Sequence, residues 1–409
     1  MHARSLILIL ALIFPTLTSS AEDWPGFLGP KRNATTTGPK LATSNLDNPK
    51  RFLWQKQIGS GFAGPAVAQN NLILFHRIGN QYHVDCLNKS TGKAIWQHKF
   101  DARYRDDFGF DNGPRTVPTI AQNKIYLHTP EGILLCLDLK TGKPLWQIDT
   151  VKTFDSEKGF FGRACSPIVH NNTLILHTGS EDHGIIGINA TTGKHLWSAT
   201  DHEAGYASPI IATINKQTLA LCFTRTGLVV LSPDTGKTLD TYRWRARMHA
   251  SVNAATPIVA NNHIFLTTSY NTGAILLKWE NNKLQKVWAN DTSLSSHYAS
   301  CVRHQNLIFG YHGRQEQGPT IRAIELTTGK VKWEHDNNAA GSVIKVNDKL
   351  LILSEKGQLT IAKATADKFT PLTEVQILGF KTRAFPAYAD GLFFARDTRK
   401  LICLDLRIQ

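Results

Sequence analysis

The chain has 409 residues, 42% of them hydrophobic and 19% charged, and its 46 Lys and Arg against 32 Asp and Glu give a formal net charge of +14. The hydrophobic fraction suffices for a large core, while 30 Gly and 17 Pro are ordinary amounts, which excludes collagen-like and disordered chains. The cationic excess favours acidic partners or anionic polymers. We expect no nucleic-acid partner, because no basic block and no interleaving of aromatic with basic residues occurs.

Residues 1–21 have the three-part pattern of a secretory signal peptide. Arg4 supplies the positive charge, residues 6–14 form an apolar run, and Ser19, Ser20 and Ala21 offer small residues for cleavage after Ala21. A membrane anchor needs about 20 apolar residues, and no other stretch is long enough, so we expect no transmembrane segment. The sequence predicts an exported monomer whose 45 basic and 32 acidic residues leave a net charge of +13.

Residues 22–50 are predicted to be a lead-in, and residues 51–409 a single domain of repeats. Each repeat contains a small-Pro-apolar string and, further on, a Thr-Gly-Lys turn followed by Trp. The first string is centred on Pro65, Pro118, Pro167, Pro209, Pro257, Cys301, Val343 and Pro386. The turns start at Thr91, Thr141, Thr192, Thr235, Asn281, Thr328 and Asp367, with Trp96, Trp146, Trp197, Trp288 and Trp333 following five of them. Eight copies spaced 42 to 53 residues apart fit one four-stranded blade per repeat.

The two ends of the repeat region complement each other. The last copy, residues 385–406, holds three strands and lacks a Trp strand, whereas residues 51–56 form an unpaired Trp strand around Trp54. Pairing the two would remove the open edges of the sheet stack. The sequence therefore predicts an all-β fold, an eight-bladed propeller closed by an N-terminal strand. The repeated Trp is predicted to pack between blades rather than to bind a ligand.

The six cysteines do not show a disulfide pattern. Cys86, Cys136 and Cys403 occupy the same slot of the repeat with apolar neighbours, and no C-x-x-C or adjacent cysteine pair occurs. We expect them to be buried free thiols.

The string Asp-x-x-Thr-Gly-Lys-x-x-Trp, as in residues 138–146, resembles the repeats of the pyrroloquinoline-quinone (PQQ) family, and the resemblance covers residues 51–407. Residues 23–30 are similar to the lead-in of exported bacterial proteins with this repeat, so the resemblance implies a periplasmic protein, with a secreted one as the open alternative. The resemblance implies one of two groups. Quinone-dependent alcohol dehydrogenases hold PQQ over the propeller centre and use calcium, an Asp base and an adjacent Cys-Cys pair. The β-barrel assembly lipoprotein of the outer membrane is a non-catalytic propeller that docks partners. This chain lacks the Cys-Cys pair and extra length of the former and the lipid-bearing cysteine of the latter.

The candidate binding site lies where the inner strands of the blades begin. In an up-and-down blade, this upper face is opposite the Thr-Gly-Lys turns and carries the long loops 97–113 and 147–161, and such loops tend to bear binding residues. Arginine suits carboxylate and phosphate groups. Phe62 stands at one inner position, and the predicted ligand-binding residues at the others are Arg115, Arg163, Tyr206, Asn253, Tyr298 and Arg383.

Other interpretations of this face stay open. Its polar residues could line a wet central channel without binding anything. His76, His128 and His177 end the second strands of neighbouring blades and are expected to lie too far apart for one metal ion; Glu181, Asp182 and His183 are nearby in the chain, and Glu203 could be a general base.

The sequence predicts neither a catalytic set nor a metal site. A calcium-bound quinone would need an inner cluster of carboxylates and Asn, and only Asn253 meets this, which disfavours PQQ and calcium as cofactors. We therefore expect a non-catalytic binding or scaffold protein of the cell envelope that presents its upper face to a protein partner or an anionic small molecule or polymer. The alternatives are a PQQ-dependent dehydrogenase-like oxidoreductase and an unanchored outer-membrane protein assembly factor.

Overall fold

A computed structural model describes residues 22–336 and 339–408, so the predicted signal peptide, residues 1–21, lies outside the described residues. The first strands are β1 (Thr35–Thr36), β2 (Phe52–Gln57), β3 (Ala66–Ala68), β4 (Asn71–Ile78), β5 (Gln81–Asn88), β6 (Ala94–Asp101), β7 (Thr119–Ala121), β8 (Lys124–His128), β9 (Ile133–Asp138), β10 (Pro144–Asp149), β11 (Ile168–His170), β12 (Thr173–His177), β13 (Ile185–Asn189), β14 (His195–Ala199), β15 (Ile210–Ile214), β16 (Gln217–Phe223), β17 (Gly227–Leu231) and β18 (Thr238–Arg243).

The remaining strands are β19 (Ile258–Ala260), β20 (His263–Thr268), β21 (Gly273–Glu280), β22 (Lys283–Asn290), β23 (Val302–His304), β24 (Leu307–His312), β25 (Thr320–Glu325), β26 (Val331–Asp336), β27 (Gly341–Val346), β28 (Lys349–Ser354), β29 (Gln358–Lys363), β30 (Pro371–Gln376), β31 (Ala387–Ala389), β32 (Leu392–Arg396) and β33 (Lys400–Asp405). Within the described residues, one short α-helix, α1, spans Thr150–Phe154, and 3-10 turns span Pro49–Arg51 and Gln315–Gln317. None of the helices in the described part of the chain is long and apolar enough to cross a bilayer.

The strands of the described residues form eight sheets, one for each blade: seven are four-stranded antiparallel meanders, and the sheet of blade 7 has β1 as a fifth strand, parallel to β27. Blades 1 to 7 use four consecutive strands each, from β3–β6 to β27–β30, and blade 8 has the order β2-β33-β32-β31. In blade 8, Trp54 of β2 is opposite Cys403 of β33, so the N-terminal strand closes the ring as the outer strand of the last blade. The predicted eight-bladed propeller and its closure are confirmed.

Local sequence sets the turns of a blade. Between β7 and β8, Gln122 and Asn123 have φ of 51° and 58°, the left-handed pair that a two-residue hairpin needs. At the outer turn, the Asp138 carboxylate accepts hydrogen bonds from Thr141 N at 2.8 Å and Thr141 Oγ1 at 2.6 Å. Gly142 follows at φ 70°, a conformation in which a Cβ is strained.

A β-bulge next to each outer turn positions the repeated Trp. In blade 2, Pro144 is opposite Leu137 and Trp146 is opposite Cys136, so Leu145 is left without a partner. The same shift occurs in the outer strand pair of every blade described. Such a bulge bends the strand and re-aims its side chains.

The Trp side chains join neighbouring blades. Trp96 of blade 1 lies against Gly142 in the outer turn of blade 2, where an added Cβ would meet the indole at 2.4 Å. The Trp96 Nε1 also donates to the Leu139 carbonyl of blade 2 at 3.0 Å. Trp54, Trp146, Trp288 and Trp333 donate to the following blade in the same way. The predicted packing role of the Trp is confirmed.

The core consists of apolar side chains between adjacent blades, and it includes the cysteines. All six are free and buried, as expected. Burial raises the pKa of the Cys86, Cys136 and Cys403 thiols to about 12.

The lead-in crosses the lower mouth of the propeller, a course that its sequence does not reveal. Trp24 N donates to the Val67 carbonyl of blade 1 at 2.9 Å, and Pro25 accepts from Ile120 N of blade 2 at 2.7 Å. Further along, Thr35 and Thr36 pair in parallel with β27 of blade 7. The segment therefore crosses the lower mouth of the propeller, from blades 1 and 2 to blade 7.

Candidate functional site

All eight blades contribute to one cup at the centre of the upper face. The cup encloses about 1190 Å³ of space, part of it open to solvent. Its lining comes from the segments that precede or begin the inner strands, together with the long upper loops: Phe62, Phe110, Arg115, Val117, Phe161, Ala164, Tyr206, Val252, Ala254, His297, Tyr298, Ala299, Ser300, Gln315, Glu316, Gly341, Ser342, Arg383 and Phe385, with Phe27 from the lead-in.

The lead-in closes the cup from below. Phe27 reaches the lining and meets Phe385 edge to face, with ring centroids 5.6 Å apart. Beyond it, the buried Arg32 donates to the Ser166 carbonyl and to Thr119 Oγ1, each at 3.0 Å, and also to the Pro167 carbonyl. These acceptors belong to the starts of inner strands in blades 2 and 3. Burial lowers the pKa of Arg32 to about 10, still well above neutral, so the side chain stays a cation.

Two arginines share one aromatic ring in the wall of the cup. The guanidinium carbons of Arg115 and Arg383 lie 5.5 and 5.7 Å from the Phe62 ring centroid, within cation–π range. Arg383 also lies 5.5 Å from the Phe110 ring. The Arg115 Nη2 is 3.3 Å from Asp106 Oδ1, and its Nη1 donates to the Asp111 carbonyl at 3.1 Å. Arg115 is therefore held in place by its own loop.

Arg383 keeps most of its hydrogen-bonding capacity. Its Nε lies 3.1 Å from Glu355 Oε1 as an ion pair without hydrogen-bond alignment. Among the residues that the structure describes, no hydrogen bond uses its Nη1 or Nη2. A guanidinium presents a planar fork of donors that matches a carboxylate or phosphate. The free end of Arg383 is thus the strongest anion-binding feature of the cup.

Glu355 is fully engaged by the wall behind Arg383. The Tyr298 hydroxyl donates to its Oε1, and Gln315 Nε2 donates to its Oε2 at 2.9 Å. Burial, with the neighbouring Glu355 carboxylate adding to it, raises the pKa of Tyr298 well above its usual range. Tyr298 is therefore a neutral donor that fixes Glu355.

Tyr206 completes the opposite side of the cup. Its hydroxyl accepts a hydrogen bond from Phe161 N at 2.8 Å, and burial raises the pKa of the phenol. Phe161 in turn contacts Phe108 and Phe110, with ring centroids 5.1 and 6.0 Å apart. Phe108 is 55% exposed and Phe110 45% exposed, so an aromatic wall extends from the cup to the rim.

Of the six residues predicted from the sequence, Arg115, Tyr206, Tyr298 and Arg383 line the cup, whereas Arg163 and Asn253 do not. Arg163 turns to donate from Nε to Ser156 Oγ at 2.8 Å and from Nη1 to the Pro130 carbonyl at 3.2 Å. Asn253 is buried and donates from Nδ2 to the Thr224 and Trp244 carbonyls, each at 2.9 Å. Both hold loops together.

Sequence reasoning did not single out several lining residues, among them Phe27, Phe110, Phe161 and His297. The phenylalanines belong to the lead-in and to the long loops, so their position in the chain gave a partial signal. His297 Nε2 lies 2.8 Å from the Tyr270 hydroxyl, and burial lowers the pKa of the imidazole. No repeated pattern marks His297.

The three predicted histidines do not meet. His128 and His177 are buried in blades 2 and 3, and burial lowers the pKa of each to about 3. His76 lies instead in a buried cluster with His83 and Asp85, the one group in the described chain with metal-ligand spacing. Burial alone would raise the pKa of Asp85, but the hydrogen bond from His76 leaves it below its usual value.

The hydrogen bonds of His76 argue against a metal in that cluster. Gly59 N donates to Nδ1 at 2.8 Å, so the ring proton of neutral His76 lies on Nε2, which is 3.2 Å from Asp85 Oδ2. A metal-bound histidine has the reverse arrangement, in which the other ring nitrogen donates its proton. The cluster is thus a hydrogen-bonded His–Asp pair.

The three remaining acidic candidates are also engaged or remote. Glu203 forms ion pairs with Arg225 and Arg245, which leaves it a weak candidate for a general base. Glu181 and Asp182 are exposed in their loop, and His183 Nδ1 lies 2.6 Å from Ser198 Oγ.

The cup does not supply the ligands of a calcium-bound quinone. Calcium takes six to eight oxygen ligands, several of them carboxylates. Glu316 is the one carboxylate in the described lining, and both oxygens of the neighbouring Glu355 are taken by Tyr298, Gln315 and Arg383. The donor set is aromatic and cationic instead.

Comparison with known proteins identifies relatives of two kinds. A family profile described as "Outer membrane protein assembly factor BamB" matches residues 34–181 and 80–335. Quinoprotein alcohol dehydrogenase PedH of Pseudomonas putida is 27% identical over 146 residues, 32% of this chain and 22% of the relative. Quinoprotein ethanol dehydrogenase of Pseudomonas aeruginosa is 28% identical over 143 residues, 33% of this chain and 20% of the relative. The matched segment spans about a fifth of these curated relatives.

Solved structures show the same fold. BamB from Moraxella catarrhalis gives a TM-score of 0.61 at 15% identity, covering 87% of this chain and 99% of that chain. A europium-containing methanol dehydrogenase gives 0.66 at 12% identity, covering 94% and 89%. At such identities the likeness concerns the fold alone.

Proposed function

We propose that this chain, which belongs to the PQQ-like repeat propeller family described by the BamB profile, is an exported, non-catalytic binding protein of the cell envelope. Its central cup receives an anionic group that carries apolar or aromatic surface, supplied by a protein partner or by a free ligand. The observation behind this proposal is the free guanidinium end of Arg383, set among the Phe62 and Phe110 rings in a cup closed from below.

Physical chemistry supports an occupant of this type. A charge-assisted hydrogen bond to Arg383 would be stronger than in water, because the aromatic walls exclude solvent around it. Phe27, Phe110 and Phe161 would cover the apolar part of the same occupant. The export and envelope location are supported by the signal-peptide pattern of residues 1–21. The protein-partner form of the proposal is supported by the fold shared with BamB.

The first experiment is a calorimetric titration of the mature protein with PQQ, an aromatic tricarboxylate, with and without calcium. We expect binding that does not need calcium. Its dissociation constant should rise about tenfold or more in Arg383→Gln, because the guanidinium that pairs with a carboxylate of PQQ is lost. Arg105→Gln, an exposed arginine in an upper loop outside the cup lining, is the matched control and should bind as the wild type does. Calcium-dependent binding with dye-linked alcohol oxidation would instead establish the dehydrogenase alternative.

A second experiment addresses the protein partner. A photo-crosslinking amino acid in place of Phe110, on the rim of the cup, should capture a partner in intact cells, and the capture should weaken when Arg383→Gln is added. The same crosslinker in place of Val287, an exposed lower-rim residue of blade 5, is the control. If PQQ does not bind and Phe110 captures nothing, the proposed function is wrong.

A further inference from the structure

Exposed leucine and isoleucine side chains recur at one position of the lower rim. Leu53, Ile95, Leu145 and Leu196 are 40%, 51%, 48% and 47% exposed. Each is the unpaired bulge residue of an outer strand, one position before the Trp. The bulge turns the Trp toward the neighbouring blade and leaves the preceding aliphatic side chain outside the ladder. These four residues belong to blades 8, 1, 2 and 3, which are consecutive around the ring.

In the other four blades, the residue at this bulge position differs in type or in exposure. In blades 4 and 7 it holds Leu239 and Leu372, which are half-buried and pack on the core. In blade 6 it holds Lys332. Blade 5, with Val287 at 46% exposure, stands apart from the other exposed aliphatics. Exposure of the bulge residue is therefore concentrated on one side of the rim.

Lysines flank these aliphatic residues. Lys93, Lys140, Lys143 and Lys194, in the outer turns of blades 1 to 3, are exposed, and none has an ion pair within the described residues. Lys93, Lys143 and Lys194 each precede the aliphatic residue of their blade by two positions, about 7 Å along the strand. The one carboxylate in these turns, Asp138, is hydrogen-bonded to Thr141 of its own turn.

We propose that this basic-aliphatic arc, formed by Leu53, Ile95, Leu145, Leu196, Lys93, Lys140, Lys143 and Lys194, docks the protein on an anionic phospholipid bilayer. Lysines near an anionic lipid surface gain attraction from the surface potential. Aliphatic residues at the same level can enter the boundary between headgroups and acyl chains. Neither contribution is large alone, and reversible membrane binding arises from the two together. The charge excess of the arc and its shallow apolar side chains favour a bilayer over a protein groove.

Docking by the arc would orient the molecule. The arc lies on the lower rim, whereas the cup opens on the upper face, so a bilayer-bound protein would present its cup away from the membrane. Membrane docking by the arc is independent of what the cup binds.

Co-sedimentation of the mature protein with lipid vesicles tests the proposal. We expect partition onto mixed phosphatidylcholine–phosphatidylglycerol vesicles at low salt, little onto phosphatidylcholine alone, and release by added salt. The variant Lys93→Gln/Lys143→Gln/Lys194→Gln should bind about a hundredfold more weakly. The variant Ile95→Ser/Leu145→Ser/Leu196→Ser, whose lysines are intact, should also lose binding. Thermal melts should show that these surface substitutions leave the fold in place.

A matched control separates the arc from net charge. Lys237→Gln/Lys283→Gln/Lys330→Gln removes three lysines from the equivalent turns of blades 4 to 6, and this variant should bind as the wild type does. Equal loss in the control variant, or unchanged binding in the serine variant, would overturn the proposal. So would binding of soluble dextran sulfate through the same lysines without vesicle binding, because that outcome identifies an anionic polymer site.

Discussion

The buried His177 gives the fold a defined sensitivity to acid. This side chain ends β12 in blade 3, and neither ring nitrogen has a hydrogen-bond partner in the described residues. Burial, assisted by the nearby His202, lowers the pKa of His177 to about 3, whereas an unfolded histidine titrates near 6.5. Between about pH 3 and about pH 6.5, His177 is therefore protonated in the unfolded chain and neutral in the native chain. Stability is unaffected above the unfolded pKa and decreases as the pH falls below about 6.5.

The magnitude follows from linkage. At about pH 5, protonation of one histidine in the unfolded state alone lowers the free energy of unfolding by about 2 kcal/mol. His177→Leu removes this contribution and two unpaired nitrogens, so the variant should lose about 2 kcal/mol less than the wild type between about pH 7.5 and about pH 5. Urea unfolding followed by circular dichroism at the two pH values measures this difference.

His177→Asn separates titration from packing. Asn does not titrate but keeps buried polar atoms, so this variant should be destabilised near neutral pH and yet show the reduced pH dependence of the Leu variant. If both variants retain the pH dependence of the wild type to within about 0.5 kcal/mol, the native state admits a proton or water at His177, and the reasoning from burial is refuted.

Three further predictions concern the packing of the fold. Gly142→Ala should lower the free energy of unfolding by about 2 kcal/mol or more, because the new Cβ is strained at φ 70° and clashes with Trp96. Gly79→Ala, at φ 58° with nothing within 4 Å of the new Cβ, should lower it by the strain alone. Chemical denaturation of both variants measures the difference. The six buried cysteines should resist iodoacetamide in the native protein and react fully after denaturation, because thiolate is the reactive form; rapid native labelling would contradict their burial. Arg32→Met should destabilise the docking of the lead-in by about 2 kcal/mol or more, because the hydrogen bonds of the buried guanidinium are lost. Limited proteolysis should then cleave residues 22–50 faster in the variant than in the wild type. Equal cleavage rates would show that Arg32 does not hold the segment.

The repeat could be predicted from the sequence because each of its residues has a local role. Asp138 caps the outer turn, Gly142 supplies the positive φ, and Trp96 needs that glycine as a contact surface. Because successive blades have the same requirement, these residue types recur at a regular spacing along the sequence. Trp54 could be assigned to the last blade for the same reason, since it carries the pattern of an outer strand without the other three strands.

The lead-in offered no such signal. Its contacts are with different parts of different blades, Val67 in blade 1, Ser166 in blade 3 and β27 in blade 7, so no residue type recurs. A single segment that crosses a symmetric ring is specified by long-range contacts, and one sequence without a period does not reveal them. The floor of the cup therefore became apparent only in the structure.

Arg163 and Arg383 show where prediction of the cup reached its limit. Both stand in the segment before an inner strand, and position in the repeat makes them equivalent. Arg163 is drawn away by Ser156, which lies in the insertion after α1 and offers both its hydroxyl and its carbonyl. No insertion of that kind accompanies Arg383, whose nearest acceptor, Glu355, is already held by Tyr298 and Gln315. Equivalent positions thus share a backbone path, while the loops decide which side chain keeps unused donors. A guanidinium whose Nη1 and Nη2 make no hydrogen bond within the described residues, beside two phenylalanine rings, is a feature that a packing role alone does not require.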